Sequence, residues 1–203
     1  MALWNDRVVP WLVEKACRSS AILEERRRWI PRAEGDVLEL GVGSGLNLAF
    51  FEHARAVTAI DPSAALLAKA APRAREAPVP VELVRASAES LPLPDRRFDT
   101  VVVTYALCSM ADPVRALREA RRVLRPDGVL IFVEHGLAPD PRVRRWQRWL
   151  TPVWSRVGGG CRLDRDVPAV LAAGGFESID LHAGYTDGAR WLSYTYEGTA
   201  RPR

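Results

Sequence analysis

The stretch Asp36-Val37-Leu38-Glu39-Leu40-Gly41-Val42-Gly43-Ser44-Gly45-Leu46-Asn47 constrains the fold of this chain more than any other. Residues 37–41 read as a short buried strand that runs into a turn with glycine at three alternate positions. Glycine lets the backbone bend sharply there and lets a ligand approach where a Cβ would obstruct it. A helix is expected behind the turn, from about Leu46 through His53. Twenty residues past Gly41, a second apolar run over 56–60 ends in Asp61. A carboxylate at the tip of a second parallel strand is placed to accept hydrogen bonds from a ribose diol. The pair points to an adenosine-containing cofactor.

Strand and helix patterns alternate from here on. Pro62 suits the first turn of a helix that Ala64–Ala70 carries onward. Strand three is expected over Val81–Ala86. Strand four, Phe98–Thr104, is almost continuously apolar, as burial on both faces of a parallel sheet requires. Asp112-Pro113 supplies an N-cap and a first-turn proline, with Val114, Leu117, Ala120 and Leu124 along one helical face. Asp127-Gly128 turns into strand five, Val129–Glu134. Two further β-rich runs, Phe176–His182 and Trp191–Thr199, close the sheet as a hairpin with Gly184, Asp187 and Gly188 in its turn. The pattern implies an α/β fold: a Rossmann-like, seven-stranded, mostly parallel sheet with helices on both faces and a C-terminal antiparallel hairpin.

Around that core lie segments of different character. Residues 3–17 form an amphipathic pattern built on Trp4, Val8, Trp11 and Leu12, and residues 21–29 a helix whose dense charge reads as a solvated face. Residues 142–154 mix tryptophan and arginine, and Arg165–Ala173 reads as a helix ended by Gly174-Gly175. The expected organisation is one domain: a helical lid over 1–34, a cofactor-binding core over 35–135, a helical insertion on the substrate side over 136–175, and closing strands over 176–203.

The 203 residues, 48% hydrophobic and 27% charged, have the composition of a folded globular domain rather than a disordered chain. No apolar run approaches the ~20 residues that span a bilayer, and the N-terminus lacks the order of a secretory signal, so a cytoplasmic location is expected. The net charge of +4 is spread over several segments, which argues against nucleic acid as a partner. Cys17, Cys108 and Cys161 are far apart and without Cys-x-x-Cys spacing. They are expected to be buried thiols, and no metal site is expected. A trio gripping a soft metalloid substrate is the competing reading.

The glycine turn also discriminates among adenosine cofactors. The third small residue of the dinucleotide fingerprint is replaced by Leu46, and no Gly-Lys-Ser/Thr follows for a triphosphate. Glu39, ahead of the turn, would repel a pyrophosphate but suits an ammonium, which favours S-adenosylmethionine. At this point the sequence resembles the class I S-adenosylmethionine-dependent methyltransferases of the UbiE-like type. Glu39–Gly45 resembles their first motif, and Asp61 matches the acidic residue that closes strand two. Ser87-Ala88-Glu89 resembles the segment bordering the adenine, Phe98–Leu107 the strand-four motif, and Leu124–Leu130 the turn into strand five. The resemblance covers about residues 35–135. It implies a cofactor site formed by Glu39, Gly41, Gly43, Gly45, Asn47, Asp61, Pro62, Ala88, Glu89, Thr104 and Tyr105, with S-adenosylhomocysteine as the product.

Methyl transfer from a sulfonium is an in-line displacement, in which orientation supplies much of the rate. Glu134 and His135 end strand five beside the cofactor crevice. They are the candidate catalytic residues: His135 as a general base, against a mere hydrogen bond at the strand end, and Glu134 either orienting His135 or pairing with a loop arginine. Thr104–Ser109, Val133-Glu134-His135 and Gly158–Leu163 resemble a narrower branch, which holds mammalian alkyl-thiol methyltransferases and small bacterial relatives labelled phospholipid or quinone methyltransferases. That implies a small lipophilic or thiol-bearing acceptor. The tryptophan-rich segments are a lid, sheet packing or a peripheral membrane contact. A non-catalytic S-adenosylmethionine-binding module is the reading from another class. The sequence leaves the oligomeric state open.

Overall fold

A computed structural model of the chain describes residues 19–203. The amphipathic segment expected over 3–17, most of the expected lid and Cys17 fall outside that range.

The first described helix, α1 (Ser20–Trp29), leads through a 3-10 turn into β1 (Gly35–Leu40). Then come β2 (Ala54–Ile60), α2 (Ala64–Arg75), β3 (Val81–Val84), β4 (Phe98–Thr104) and α3 (Pro113–Val123). The chain closes with β5 (Leu124–His135), α4 (Pro141–Val157), α5 (Val167–Ala173), β6 (Phe176–Tyr185) and β7 (Tyr194–Pro202). The strands form one seven-stranded sheet in the order β3-β2-β1-β4-β5-β7-β6. The five strands from β3 to β5 pair in parallel, whereas β7 is antiparallel to both β5 and β6. The order reverses between β1 and β4, so the crevice for a ligand opens beyond the carboxyl ends of these two strands.

Alternation along the central strands divides the core into two layers. Leu38, Leu40, Val101, Val103, Leu130 and Phe132 face Leu117, Ala120 and Val123 of α3 and Leu171 of α5. Their neighbours Val37, Val57, Val102, Ile131 and Val133 face Trp29, Ile30, Leu48 and Phe51. The strands are therefore apolar on both faces, and the sequence reads as nearly continuous hydrophobic runs.

Four expectations need correction. No α-helix follows the glycine turn: residues 46–53 form turns and a single 3-10 segment, Leu48–Phe50. Few residues separate Gly45 from β2, and Leu48 and Phe51 are both buried there. So short a segment does not recover the cost of nucleating an α-helix. Pro62 is not helical; Ser63 caps α2 by accepting from the Leu66 N–H at 3.3 Å. Strand three stops at Val84, two residues early. β5 begins at Leu124 rather than Val129, because pairing with β4 jumps from Phe98↔Leu124 to Thr100↔Val129 and Arg125–Gly128 bulge opposite Asp99.

Helix α4 starts at the Asp140 cap, which accepts from the Arg142 N–H at 2.8 Å. Its buried stripe is Val143, Gln147 and Thr151. Gln147 ties the helix down: its Oε1 accepts from Ala138 N–H at 2.9 Å, and its Nε2 donates to Gly136 O at 2.9 Å and Trp191 O at 3.2 Å. Trp146 and Trp149 do not pack on the sheet and are 57% and 69% exposed. Trp154 packs edge-on against Trp191.

Candidate functional site

The glycine turn needs a backbone that only glycine adopts freely. Gly41, Gly43 and Gly45 have φ of 74°, 55° and 84°, in the left-handed region. A Cβ on Gly41 would strike Ala106, whereas the space beside Gly43 is open for 4 Å. The turn is anchored by Asp61, whose carboxylate accepts from Gly43 N–H at 3.0 Å and from Ser63 N–H at 2.8 Å. Burial raises the Asp61 pKa against the pull of those two N–H groups. Asp61 therefore fixes β2 to the turn with part of its accepting capacity and keeps lone pairs for a ligand.

Behind the turn lies a buried polar cluster. Asn47 donates from Nδ2 to Glu39 Oε1 at 2.7 Å and to Thr104 Oγ1 at 2.9 Å, and its Oδ1 accepts from the Arg26 guanidinium. Glu39 is almost fully buried, and its second oxygen, Oε2, has no hydrogen-bond partner among the described residues. Burial pushes its pKa up to about 7 despite the Asn47 hydrogen bond and the nearby Arg26. An orphaned carboxylate oxygen beside a glycine backbone with open space fits a ligand that brings an ammonium group. The residues present thus suit the methionyl end of S-adenosylmethionine.

The other expected cofactor residues are dispersed along the same edge. Pro62 is exposed, and its carbonyl accepts from Arg85 Nε at 3.3 Å, which links the loops after β2 and β3. Ala88 is buried, while Glu89 spends a carboxylate oxygen on the Asp112 N–H at 2.9 Å. Tyr105 follows β4 at a φ of 52°, rare for a bulky side chain, and its hydroxyl donates to Glu25. Burial first, and then the Glu25 charge, raise its pKa.

Glu134 does not orient His135. Its Oε1 accepts from the backbone N–H groups of Ala106 at 2.7 Å and Leu107 at 2.9 Å, so it holds the turn after β4 in place. Burial and the neighbouring Cys108 charge push its pKa up to about 8. His135 instead meets two cysteines: its Nε2 lies 2.9 Å from Cys161 Sγ, and ligand atoms of Cys108, His135 and Cys161 all fall within 4.8 Å of one another. Cys108 is held well below the ordinary thiol value by the Cys161 thiol, against burial and with help from His135. Cys161 is correspondingly raised. Burial, the largest single influence, lowers the His135 pKa, but the charge and hydrogen bond of Cys108 together with the Glu134 charge outweigh it, and the value rises. Both cysteines are free thiols. The Tyr105 ring lies 6.4 Å from that of His135, and its neighbour in the chain, Thr104, accepts from Asn47 Nδ2.

Sequence reasoning missed two of these groups, Glu25 and Arg26, and it offered Cys108 and Cys161, with Cys17, only as a competing reading of a trio gripping a metalloid. Glu25 and Arg26 read as solvated charge, yet both are buried. The signal was their spacing, since Ile22, Glu25, Arg26 and Trp29 fall on one helical stripe. Cys108 and Cys161 are 53 positions apart and meet only through the fold.

The family model for a methyltransferase domain matches residues 38–132. The thiol S-methyltransferase TMT1B of Rattus norvegicus is 34% identical over 152 residues, covering 73% of this chain and 62% of that protein. The phosphatidylethanolamine N-methyltransferase of Cereibacter sphaeroides is 42% identical over 103 residues, covering 50% of this chain and 51% of the relative. The crystal structure of YcgJ from Bacillus subtilis superposes with a TM-score of 0.63 at 20% identity, covering 95% of each chain. The chain spans less than two thirds of the length of the thiol S-methyltransferases that it matches.

Proposed function

The chain belongs, through residues 38–132, to the family of S-adenosylmethionine-dependent methyltransferase domains, and from that premise we propose that it methylates a small thiol. Bound S-adenosylmethionine supplies an electrophilic methyl group on a sulfonium. In this reading Glu39 Oε2 takes the ammonium, Arg26 faces the methionyl carboxylate, and Asp61 accepts from the ribose diol. Gly43 lets the cofactor lie against the backbone. Ala88 and Glu89 border the adenine.

One observation carries the choice of acceptor: a sulfur-rich group gathers at the end of β5, where His135 meets Cys108 from the turn after β4 and Cys161 from the loop after α4. Glu134 is occupied with the turn after β4, so these three side chains, rather than a lone base, form the acceptor side. The name of the TMT1B relatives supports the same acceptor class. The test is turnover of methyl-labelled cofactor against thiols, phenols, amines and lipids. Thioether product from thiols supports the reading; methylation confined to another class overturns it.

A second reading, a methylase working on lipid at a membrane face, is favoured by α4. Trp146, Trp149 and Val153 form an exposed apolar stripe with Arg142, Arg145 and Arg148 around it. Such a helix lies well in an anionic interface. No helix among the described residues is long and apolar enough to cross a membrane. Co-sedimentation with anionic vesicles tests this; protein left in the supernatant would count against it.

A further inference from the structure

The acceptor-side cluster has the chemistry of a metal centre. Its members come from three segments: Cys108 follows β4, His135 ends β5, and Cys161 follows the glycine turn after α4. The two cysteine segments are fastened together by backbone, with Arg162 N–H donating to Cys108 O at 2.9 Å. Arg165 adds a bond from Nη2 to Met110 O at 2.8 Å. Gln147 anchors α4, which delivers Cys161, to the segment that follows His135. The donors are thus held near one another by tertiary structure and not by local spacing.

Two thiolates and one imidazole form a soft donor set suited to zinc. Around a tetrahedral zinc, with bonds of about 2.3 Å to sulfur and 2.0–2.1 Å to nitrogen, neighbouring donors stand roughly 3.5–3.8 Å apart. The 4.8 Å envelope of the cluster accommodates that spacing; the 2.9 Å approach of His135 to Cys161 has to open by somewhat less than 1 Å. Partners of the ligands are already present. Trp154 Nε1 donates to Cys161 Sγ at 3.3 Å, and Ser109 Oγ lies 3.6 Å from Cys108 Sγ. Glu134, next to His135, keeps a buried Oε2 with no partner among the described residues. Among those residues the cluster offers three ligands and not four. A closed structural zinc site takes four protein ligands, whereas a reactive one takes three and leaves a position for substrate.

We propose that Cys108, His135 and Cys161 hold one zinc ion, and that the acceptor thiol enters its fourth position as a thiolate. The proposal rests on the thiol-methylating reading above and gives His135 the role of a ligand. A free thiol with a pKa of ~8.5 is mostly protonated at neutral pH, while a thiol coordinated to zinc is deprotonated outright. Its proton leaves to solvent as the zinc–sulfur bond forms. The thiolate lone pair then makes the new sulfur–carbon bond while the carbon–sulfonium bond breaks and its electron pair returns to the cofactor sulfur. The products are a neutral thioether and S-adenosylhomocysteine, and the thioether, a weaker ligand, departs. Zinc is neither oxidised nor consumed.

The full chain, stripped with chelator, reloaded with zinc chloride and desalted, is expected to retain one zinc per chain by elemental analysis. Cys161→Ser and His135→Ala should each retain less than a tenth of that, with S-adenosylhomocysteine binding by calorimetry unchanged as proof of folding. Trp154→Phe should weaken zinc binding by roughly 10–100-fold, as loss of an outer partner does. Cobalt-loaded protein should change its visible spectrum on addition of a small thiol. Zinc retained no better than by Cys161→Ser, or retained equally by all variants, overturns the site. A cobalt spectrum indifferent to saturating thiol overturns the open position. If zinc and thiol both bind as expected and no thiol gains methyl, the metal site stands and the thiol-methylating function falls.

Discussion

Replacing Glu39 by glutamine should move stability and cofactor binding in opposite directions. The carboxyl is buried, and its pKa is raised by burial from an ordinary 4.5 to about 7. A carboxyl raised on folding favours its neutral form, so the folded chain loses stability as pH climbs from 4.5 through 7. With about 1.4 kcal/mol for each pH unit between the two values, the cost above pH 8 is on the order of 3 kcal/mol. Glutamine keeps an oxygen for the Asn47 Nδ2 donor, now 2.7 Å away, and carries no charge to bury. Glu39→Gln should therefore unfold later than the parent in denaturant at pH 8. It also removes the negative partner of the cofactor ammonium, a charge-assisted hydrogen bond of ~1.5–3 kcal/mol, or roughly 10–150-fold in Kd. Denaturation by urea and titration of S-adenosylhomocysteine by calorimetry, both at pH 8, measure the two effects. A variant that binds the ligand as tightly as the parent refutes the ammonium assignment.

Cofactor affinity of the parent chain should rise with pH across the neighbourhood of 7, as Glu39 ionises, and binding should release a proton; Glu39→Gln should flatten that dependence in calorimetry over several buffers. Asp61→Ala should weaken cofactor binding by ~1.5–3 kcal/mol, and unchanged binding would mean that the ribose lies elsewhere. Leu117→Ala, in the core between α3 and the sheet, should cost about 2–5 kcal/mol of stability while leaving affinity intact. His135→Ala should lower turnover with cofactor binding nearly unchanged; equal turnover would remove it from the acceptor side.

What the sequence made legible was what short range decides. β4 lies at Phe98–Thr104, where continuous apolar residues require a strand buried on both faces. Asp112 caps α3 as its residue type and the following proline imply, accepting from the Arg115 N–H at 2.9 Å. The helix expected after the glycine turn failed because its pattern says nothing of how soon the chain must re-enter the sheet. Asn47 nevertheless meets Glu39, since the glycine turn folds Asn47 back against the end of β1. Glu25 and Arg26 were hidden by composition: charge usually means solvent, and only their place on the stripe of Trp29 betrays burial. Cys108, His135 and Cys161 were illegible for a different reason. Their proximity is set by the order of β4 and β5 in the sheet and by the anchoring of α4, neither of which is written in local spacing.

The most direct test of the central claim is mass analysis of products after incubating the purified chain with S-adenosylmethionine and a panel of thiols, hydroxyls, amines and lipids. Thioethers are expected, formed stoichiometrically with S-adenosylhomocysteine and lost in Cys161→Ser. Tight cofactor binding without methyl gain by any thiol would contradict that claim.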